Sequence, residues 1–330
     1  MSTSLKLSLV EGGPTKRESI FEDNARGFRE KFNRCSFAYT HALAGHPLFD
    51  LPRLVELAEV LSESGAVTFF GSDVAVDQGW QNLPQRPLSV AEAIARIEES
   101  GSWVLLKSVQ HDPEYRALLE QCMAELEGLT GVPLREEITW LEAYIFIASP
   151  HSVTPYHMDH ESNFLLQIHG EKEINIFDPR DRSILTEQEI EGYYMGNLSA
   201  ATYHKENQKK ASVYRLTPGT GVHLPVRAPH WVKNGDSFSV SLSFNFCMRA
   251  YDRQARIYQV NNYLRRTGIT PLPPGVSALR DAAKSLAVAP LWAYGEFESK
   301  YDLLRRGVRR FEAPMRLGRR IAHRLRPASS

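Results

Sequence analysis

Cysteine is scarce in this 330-residue chain, and its three copies, Cys35, Cys122 and Cys247, are far apart. An odd, scattered set excludes a disulfide framework and a cysteine-built zinc site, and it fits a reducing compartment. Long apolar runs are missing as well. No segment is long enough to cross a bilayer, and the N-terminus shows neither the apolar stretch nor the cleavage pattern of a secretory leader. The expected location is therefore the cytoplasm. Net charge is also absent, with 39 basic and 39 acidic residues, so nothing global directs the chain to nucleic acid or a membrane. There is no internal repeat and no low-complexity tract. The charge that exists is uneven: Tyr301 to Ser330 holds nine arginines against Asp302 and Glu312, a local balance of +7.

What remains is an ordinary globular composition, 42% hydrophobic and 24% charged, long enough to bury a sizeable core. Asp50 with Pro52 opens a helical apolar stripe of Leu54, Leu57, Ala58 and Leu61, closed by Gly65. Ala66–Phe70 reads as a buried strand and Gly71–Pro87 as a loop. Ser89 and Glu92 form a capping box for a helix through Glu99, stopped by Gly101. Trp103–Lys107 is a strand, and Asp112-Pro113 starts another helix. From Ile138 on, short strands dominate: Ile138–Ile147, Phe164–Ile168, Ile174–Phe177, Ser212–Leu216, Val222–Leu224 and Phe238–Phe246. Turn residues such as Pro218-Gly219 and Asn234-Gly235-Asp236 separate them. That punctuation predicts an antiparallel sandwich or barrel. After Arg249 the pattern is helical again, interrupted by Pro271, Pro273, Pro274 and Gly275.

One stretch, Val153–Lys172, concentrates chemistry. In an extended strand, residues i and i+2 point the same way, about 7 Å apart, so His157 and Asp159 can reach one ion. Two imidazoles and a carboxylate on one side of a metal are what a non-haem iron(II) oxygenase requires. The spacing alone is weak, because His169-x-Glu171 and His204-x-Glu206 also satisfy it. His204 sits in a polar loop and His169 in a turn, whereas His157 stands at a strand end. A second histidine must come from a distant strand, with His223 and His230 both in position. Lys172 shares a strand face with Ile174 and Ile176, and a lysine aimed into an apolar interior requires an anionic partner; the alternative is a strand-end lysine that reaches back to water.

Thr154-Pro-Tyr-His157-Met-Asp159, Asn163, Gln167-Ile-His-Gly170-Glu-Lys172 and Gly221-Val-His-Leu-Pro225, five residues before His230, together form a combined pattern. It resembles the jumonji-C (cupin-like) iron(II)/2-oxoglutarate oxygenases. The T-P-x-H-x-D, G-x-K and P-x4-H spacings match the asparaginyl-hydroxylase-like branch. The likeness runs from about Ser89 to Asn245. It implies a mostly β core, a double-stranded β-helix (cupin/jelly-roll barrel) with flanking N- and C-terminal helices. On that expectation 1–25 is a flexible arm, 26–136 an N-terminal α/β segment packed on the barrel, 137–250 the barrel, and 251–330 a helical region with the basic tail.

The resemblance implies that His157, Asp159 and His230 are both metal ligands and catalytic residues, with iron(II) as the metal. It selects His230 over His223, which then becomes a pocket-lining or core residue. Lys172 and Thr154 would hold the distal carboxylate of 2-oxoglutarate, and Asn163 and Asn245 would sit near its inner end or the oxygen site. Where the family carries an aromatic run, this chain has Val226-Arg227-Ala228-Pro229, which leaves the pocket shape open. The implied activity is that of a dioxygenase, most simply a hydroxylase, of a protein side chain, a modified RNA base or a small metabolite. The competing reading is a catalytically silent cupin-like binding or regulatory protein. The resemblance further implies a homodimer through the C-terminal helices, Asp252–Arg266. Leu317, Ile321 and Leu325 among arginines predict a basic amphipathic helix, read either as a solvated helix packed by one apolar edge or as one that touches RNA, an acidic partner or an anionic membrane.

Overall fold

The computed structural model of the chain describes residues 19–22 and 25–292. The Arg-rich tail, with its expected basic helix, lies outside them. The described residues separate into two compact units, one of 19–185 with Ala201–Arg249 and one of Thr186–Ala200 with 250–292.

The first unit runs in chain order through α1 (Ala25–Lys31), β1 (Phe37–Thr40), α2 (Leu51–Glu63), β2 (Val67–Gly71), α3 (Val90–Ala95) and β3 (Ser102–Leu106). It continues with α4 (Pro113–Thr130), α5 (Leu134–Glu137), β4 (Ile138–Ala148), β5 (Val153–His157), β6 (Ser162–His169) and β7 (Lys172–Ile176). After α6 (Glu187–Tyr194), which belongs to the other unit, come β8 (Ser212–Leu216), β9 (Thr220–Leu224), β10 (His230–Asn234) and β11 (Ser239–Met248). The local signals explain many boundaries. Asp112 caps α4 by accepting from Glu114 N, and Gly131, in the left-handed conformation, closes it. Ser89 and Glu92 form the expected capping box. The helix they start is shorter than the sequence suggests: it ends at Ala95, because the Arg96 N–H tightens onto Glu92 and Ile94 carbonyls and the chain proceeds by turns to Gly101.

All strand pairs are antiparallel. Seven strands form one sheet in the order β1-β9-β6-β11-β4-β3-β2, and four form another in the order β5-β10-β7-β8. The segment before Ile138 thus contributes β1, β2 and β3 to the larger sheet, and β1 is a strand the sequence pattern does not announce. Ile20 and Phe21, in the stretch expected to be a loose arm, are buried, and their backbone N–H groups donate to Glu125.

Alternation assigns the faces. On β11, Val240, Leu242, Phe244 and Phe246 point one way and Ser239, Ser241, Ser243 and Asn245 the other. The Phe side stacks Phe164, Phe246 and Phe32 with His223, away from the smaller sheet. On the inner side Leu165, Val222 and Leu224 of the large sheet meet Ile174, Ile176, Leu216 and Val232 of the small one. Each such aliphatic side chain, fully buried, stabilises the fold by about 1.5–3 kcal/mol. The polar row of β11 faces this same interior, since Ser243 lies opposite Leu165 and Asn245 opposite Asn163.

In the second unit, α7 (Arg249–Arg266) and α8 (Ala278–Trp292) accompany α6. Glu191, fully buried, takes a two-pronged ion pair from Arg265 at 2.8 Å, and Tyr194 stacks on Tyr258. The capping box of α6, Thr186 with Glu189, is written in the sequence but interrupts a stretch that otherwise reads as barrel.

Candidate metal centre

The small sheet builds the site. Along β5 and β10 the register sets His157 opposite His230 and Thr154 opposite Val232, so three residues of β5 span two of β10. This bulge matters because residues 154 and 157 would point to opposite faces of a regular strand. The extra residue turns both inward, the re-aiming that bulges provide. Asp159 lies just past the strand end, and its backbone carbonyl accepts from Arg227 N at 2.8 Å, which fastens it to the turn before His230.

The three side chains converge. Their ligand atoms all lie within 4.8 Å of one another, with His157 Nε2 3.4 Å and His230 Nε2 4.0 Å from Asp159 Oδ2. The imidazole centroids are 4.2 Å apart. Each ring is held the same way from behind: Nδ1 of His157 meets the Pro155 carbonyl at 2.8 Å, and Nδ1 of His230 meets the Ala228 carbonyl at 3.0 Å. A carbonyl takes only a donor, so Nδ1 carries a proton, and in the neutral ring Nε2 then offers its lone pair to the centre. That backing is what metal-ligating histidines have. Trp80, from the loop before α3, stands edge-on to His157 with centroids 5.0 Å apart.

The rival histidines go elsewhere. His223 is fully buried on the far side of the large sheet, accepting from Asn33 N and meeting the Asn163 carbonyl, and burial pushes its pKa down to about 3. It is a core residue. His169 is exposed and stacks on Phe238, and His204 is half exposed beside Glu206.

Lys172 opens β7 on the same face as Ile174 and Ile176, in register with Asn234 of β10. Its side chain is 7% exposed and has no hydrogen-bond or ion-pair partner among the described residues, and burial lowers its pKa from 10.5 to about 7. At 3.3 Å per residue, four positions separate its backbone from His230 by roughly 13 Å, a span its own side chain shortens. Thr154 Oγ1 accepts the indole N–H of Trp103 at 3.1 Å, which leaves the hydroxyl proton to point elsewhere. Asn163 and Asn245 are opposite each other on the facing sheet, joined by an Asn163 Nδ2 to Asn245 Oδ1 bond of 2.5 Å, with Ser243 as a third member. The Oδ1 of Asn163 is buried without a partner. These two residues belong to the inner wall, and among the described residues no hydrogen bond joins them to the three converging side chains.

Two aromatic neighbours escape motif reasoning. Trp80 comes from a Gly/Pro/Gln-rich loop with no periodicity, so only its chemical type could have flagged it. Trp103 falls near the place where some members of the resembling family carry a tyrosine, but its bond to Thr154 depends on a register the sequence does not display.

Residues 89–252 match the family model described as a cupin-like domain. Two facing antiparallel sheets with this order form the cupin fold, as expected. No curated protein sequence matches the chain. Among solved structures, the chain is similar to the Escherichia coli ribosomal oxygenase YcfD in complex with cobalt and 2-oxoglutarate, with 14% identity over 86% of this chain and 70% of that one and a TM-score of 0.48. It is similar also to that protein in complex with cobalt and succinic acid, at 14% identity over 86% and 69% with a TM-score of 0.45. A partial likeness, 18% identical over 32% of this chain and 38% of the other with a TM-score of 0.21, is to the DMSP lyase DddQ from Ruegeria pomeroyi DSS-3.

Proposed function

We propose that this chain, whose residues 89–252 form a cupin-like domain, is an iron(II)- and 2-oxoglutarate-dependent oxygenase acting as a hydroxylase. The observation that carries the reading is a pairing: three convergent side chains, His157, Asp159 and His230, and on the same sheet a buried lysine without a counter-ion among the described residues. The residues fit the metal on chemical grounds, since two neutral imidazoles with fixed tautomers and one carboxylate suit iron(II) and leave positions open. When bound, iron(II) and 2-oxoglutarate supply oxidation of a substrate C–H bond by dioxygen, with succinate and carbon dioxide as co-products.

The chain's own residues bind and orient. Lys172 gives its ammonium to the distal carboxylate, which repays the cost of its burial. Thr154 donates its hydroxyl proton to the same group while Trp103 occupies its lone pair. Ile174, Ile176 and Val232 line the stretch between anchor and metal and keep water out. Asn163 and Asn245 present amide groups from the opposite wall to the inner end of the co-substrate. The asparaginyl-hydroxylase-like spacings favour hydroxylation, with a protein side chain, a modified RNA base or a small metabolite as the primary substrate. A homodimer through Asp252–Arg266 is part of the same reading, and a monomeric sedimentation coefficient would remove it.

The test is metal content and turnover together. The purified protein should take up one iron(II) per chain and convert 2-oxoglutarate to succinate, and His157→Ala and His230→Ala should lose both properties. Metal held equally well by the two variants would sink the assignment.

A further inference from the structure

We infer that Asn234 is a second arm of the anion site, donating an amide N–H to the carboxylate that Lys172 pairs with; this rests on the oxygenase reading above. Asn234 is the last residue of β10, opposite Lys172 in the β7 register, and both sit on the inward face with Val232 and Ile174. It is 5% exposed, yet its Oδ1 is buried with no hydrogen-bond partner among the described residues. Lys172, 7% exposed, has no partner among the described residues either. Two adjacent polar groups left unsatisfied in an apolar interior each cost free energy, and native cores rarely keep them without a reason.

One ligand group resolves both. A carboxylate set between them accepts one bond from the Lys172 ammonium and one from Asn234 Nδ2. The ammonium, with three protons to give, then also donates to Asn234 Oδ1. The arrangement closes a ring of three charge-assisted bonds, stronger than neutral ones. It also separates a carboxylate from a single-point anion, because two donors on neighbouring strands match its two oxygens. The occupant is thus the distal carboxylate of a dicarboxylic acid.

Three probes test this in anaerobic titrations of the cobalt-loaded protein: 2-oxoglutarate, glutarate, and 2-oxovalerate, which has the same carbon length without the distal carboxylate. Asn234→Ala should weaken 2-oxoglutarate and glutarate about tenfold and leave 2-oxovalerate unchanged. Asn234→Asp, which sets a carboxylate against the ammonium, should weaken the two dicarboxylates further. Equal effects on all three probes, or none, would overturn the assignment. Wild-type protein supplies a readout independent of folding defects: glutarate should shift the Asn234 side-chain amide resonance of a 15N-labelled sample, and an unmoved resonance overturns the inference. Dicarboxylate binding that depends on Asn234 without succinate formation supports the inference and refutes the oxygenase reading. Binding with turnover but indifferent to Asn234 does the reverse.

Discussion

Replacing Lys172 by methionine should make the ligand-free protein more stable while destroying its affinity for 2-oxoglutarate. Burial alone moves the lysine from 10.5 to about 7. Between those values the unfolded chain holds a proton that the folded chain does not, so wild-type stability rises with pH across that window. Above 10.5 both states are neutral and the penalty is gone; as the pH falls to about 7 it grows toward its full size. The span corresponds to about 5 kcal/mol in all, of which about 2 kcal/mol should be recovered between pH 7 and pH 9. Methionine has similar length and no charge, so the variant lacks this term and serves as the reference. Urea unfolding of both proteins, metal-free, at pH 7 and pH 9 measures the difference and cancels every titration they share. At pH 7 the variant should be the more stable, and its advantage should shrink by pH 9. Adding 2-oxoglutarate should narrow the gap, since ligand binding stabilises only the wild type. A variant less stable than wild type at pH 7, with a pH-independent gap, would refute the claim that an uncompensated ammonium is buried there.

Other consequences are as direct. Trp103→Phe keeps the stack on Phe70 but deletes the donor to Thr154, worth about 1 kcal/mol; steady-state kinetics should show a several-fold rise in the KM for 2-oxoglutarate with kcat little changed. His223→Asn should leave metal stoichiometry intact by elemental analysis yet lower thermal stability. Because burial pushes His223 down to about 3, the wild type should lose stability as pH falls below 6.5 toward that value, and the variant should lose less. Gly221→Ala should destabilise by about 1–3 kcal/mol in chemical unfolding, since a Cβ there would collide with the Tyr39 ring and lie 2.7 Å from the Leu165 carbonyl.

Much of the site was legible because strand alternation and a few spacings carry it. Ile174 and Ile176 show which way Lys172 points, whereas the preference for His230 over His223 comes from the resemblance to the oxygenase family and not from the residues alone. Other parts depend on pairing between distant segments. The inward turn of His157 comes from a bulge against β10, although a regular strand through Asp159 would bring the same two side chains to one face. Asn234 looks like a turn residue beside Gly235 and Asp236, and only the β7 register reveals its buried neighbour. β1 and α6 are obscure in the sequence for different reasons. β1 is four residues long, with only Phe37 and Tyr39 facing in. α6 begins with a legible capping box, but the strands on either side made a helix there unexpected.

The position of β5 adds a mechanical consequence. It is the border strand of its sheet, laddered only to β10, with Val76 O holding Tyr156 N on the open side. An ion gripped by His157 on β5 and His230 on β10 would therefore rivet the outermost strand to its neighbour across their shared bulge. Withdrawing the ion would loosen this seam first, so hydrogen exchange at Val153–His157 should quicken on chelation before the seven-stranded sheet responds.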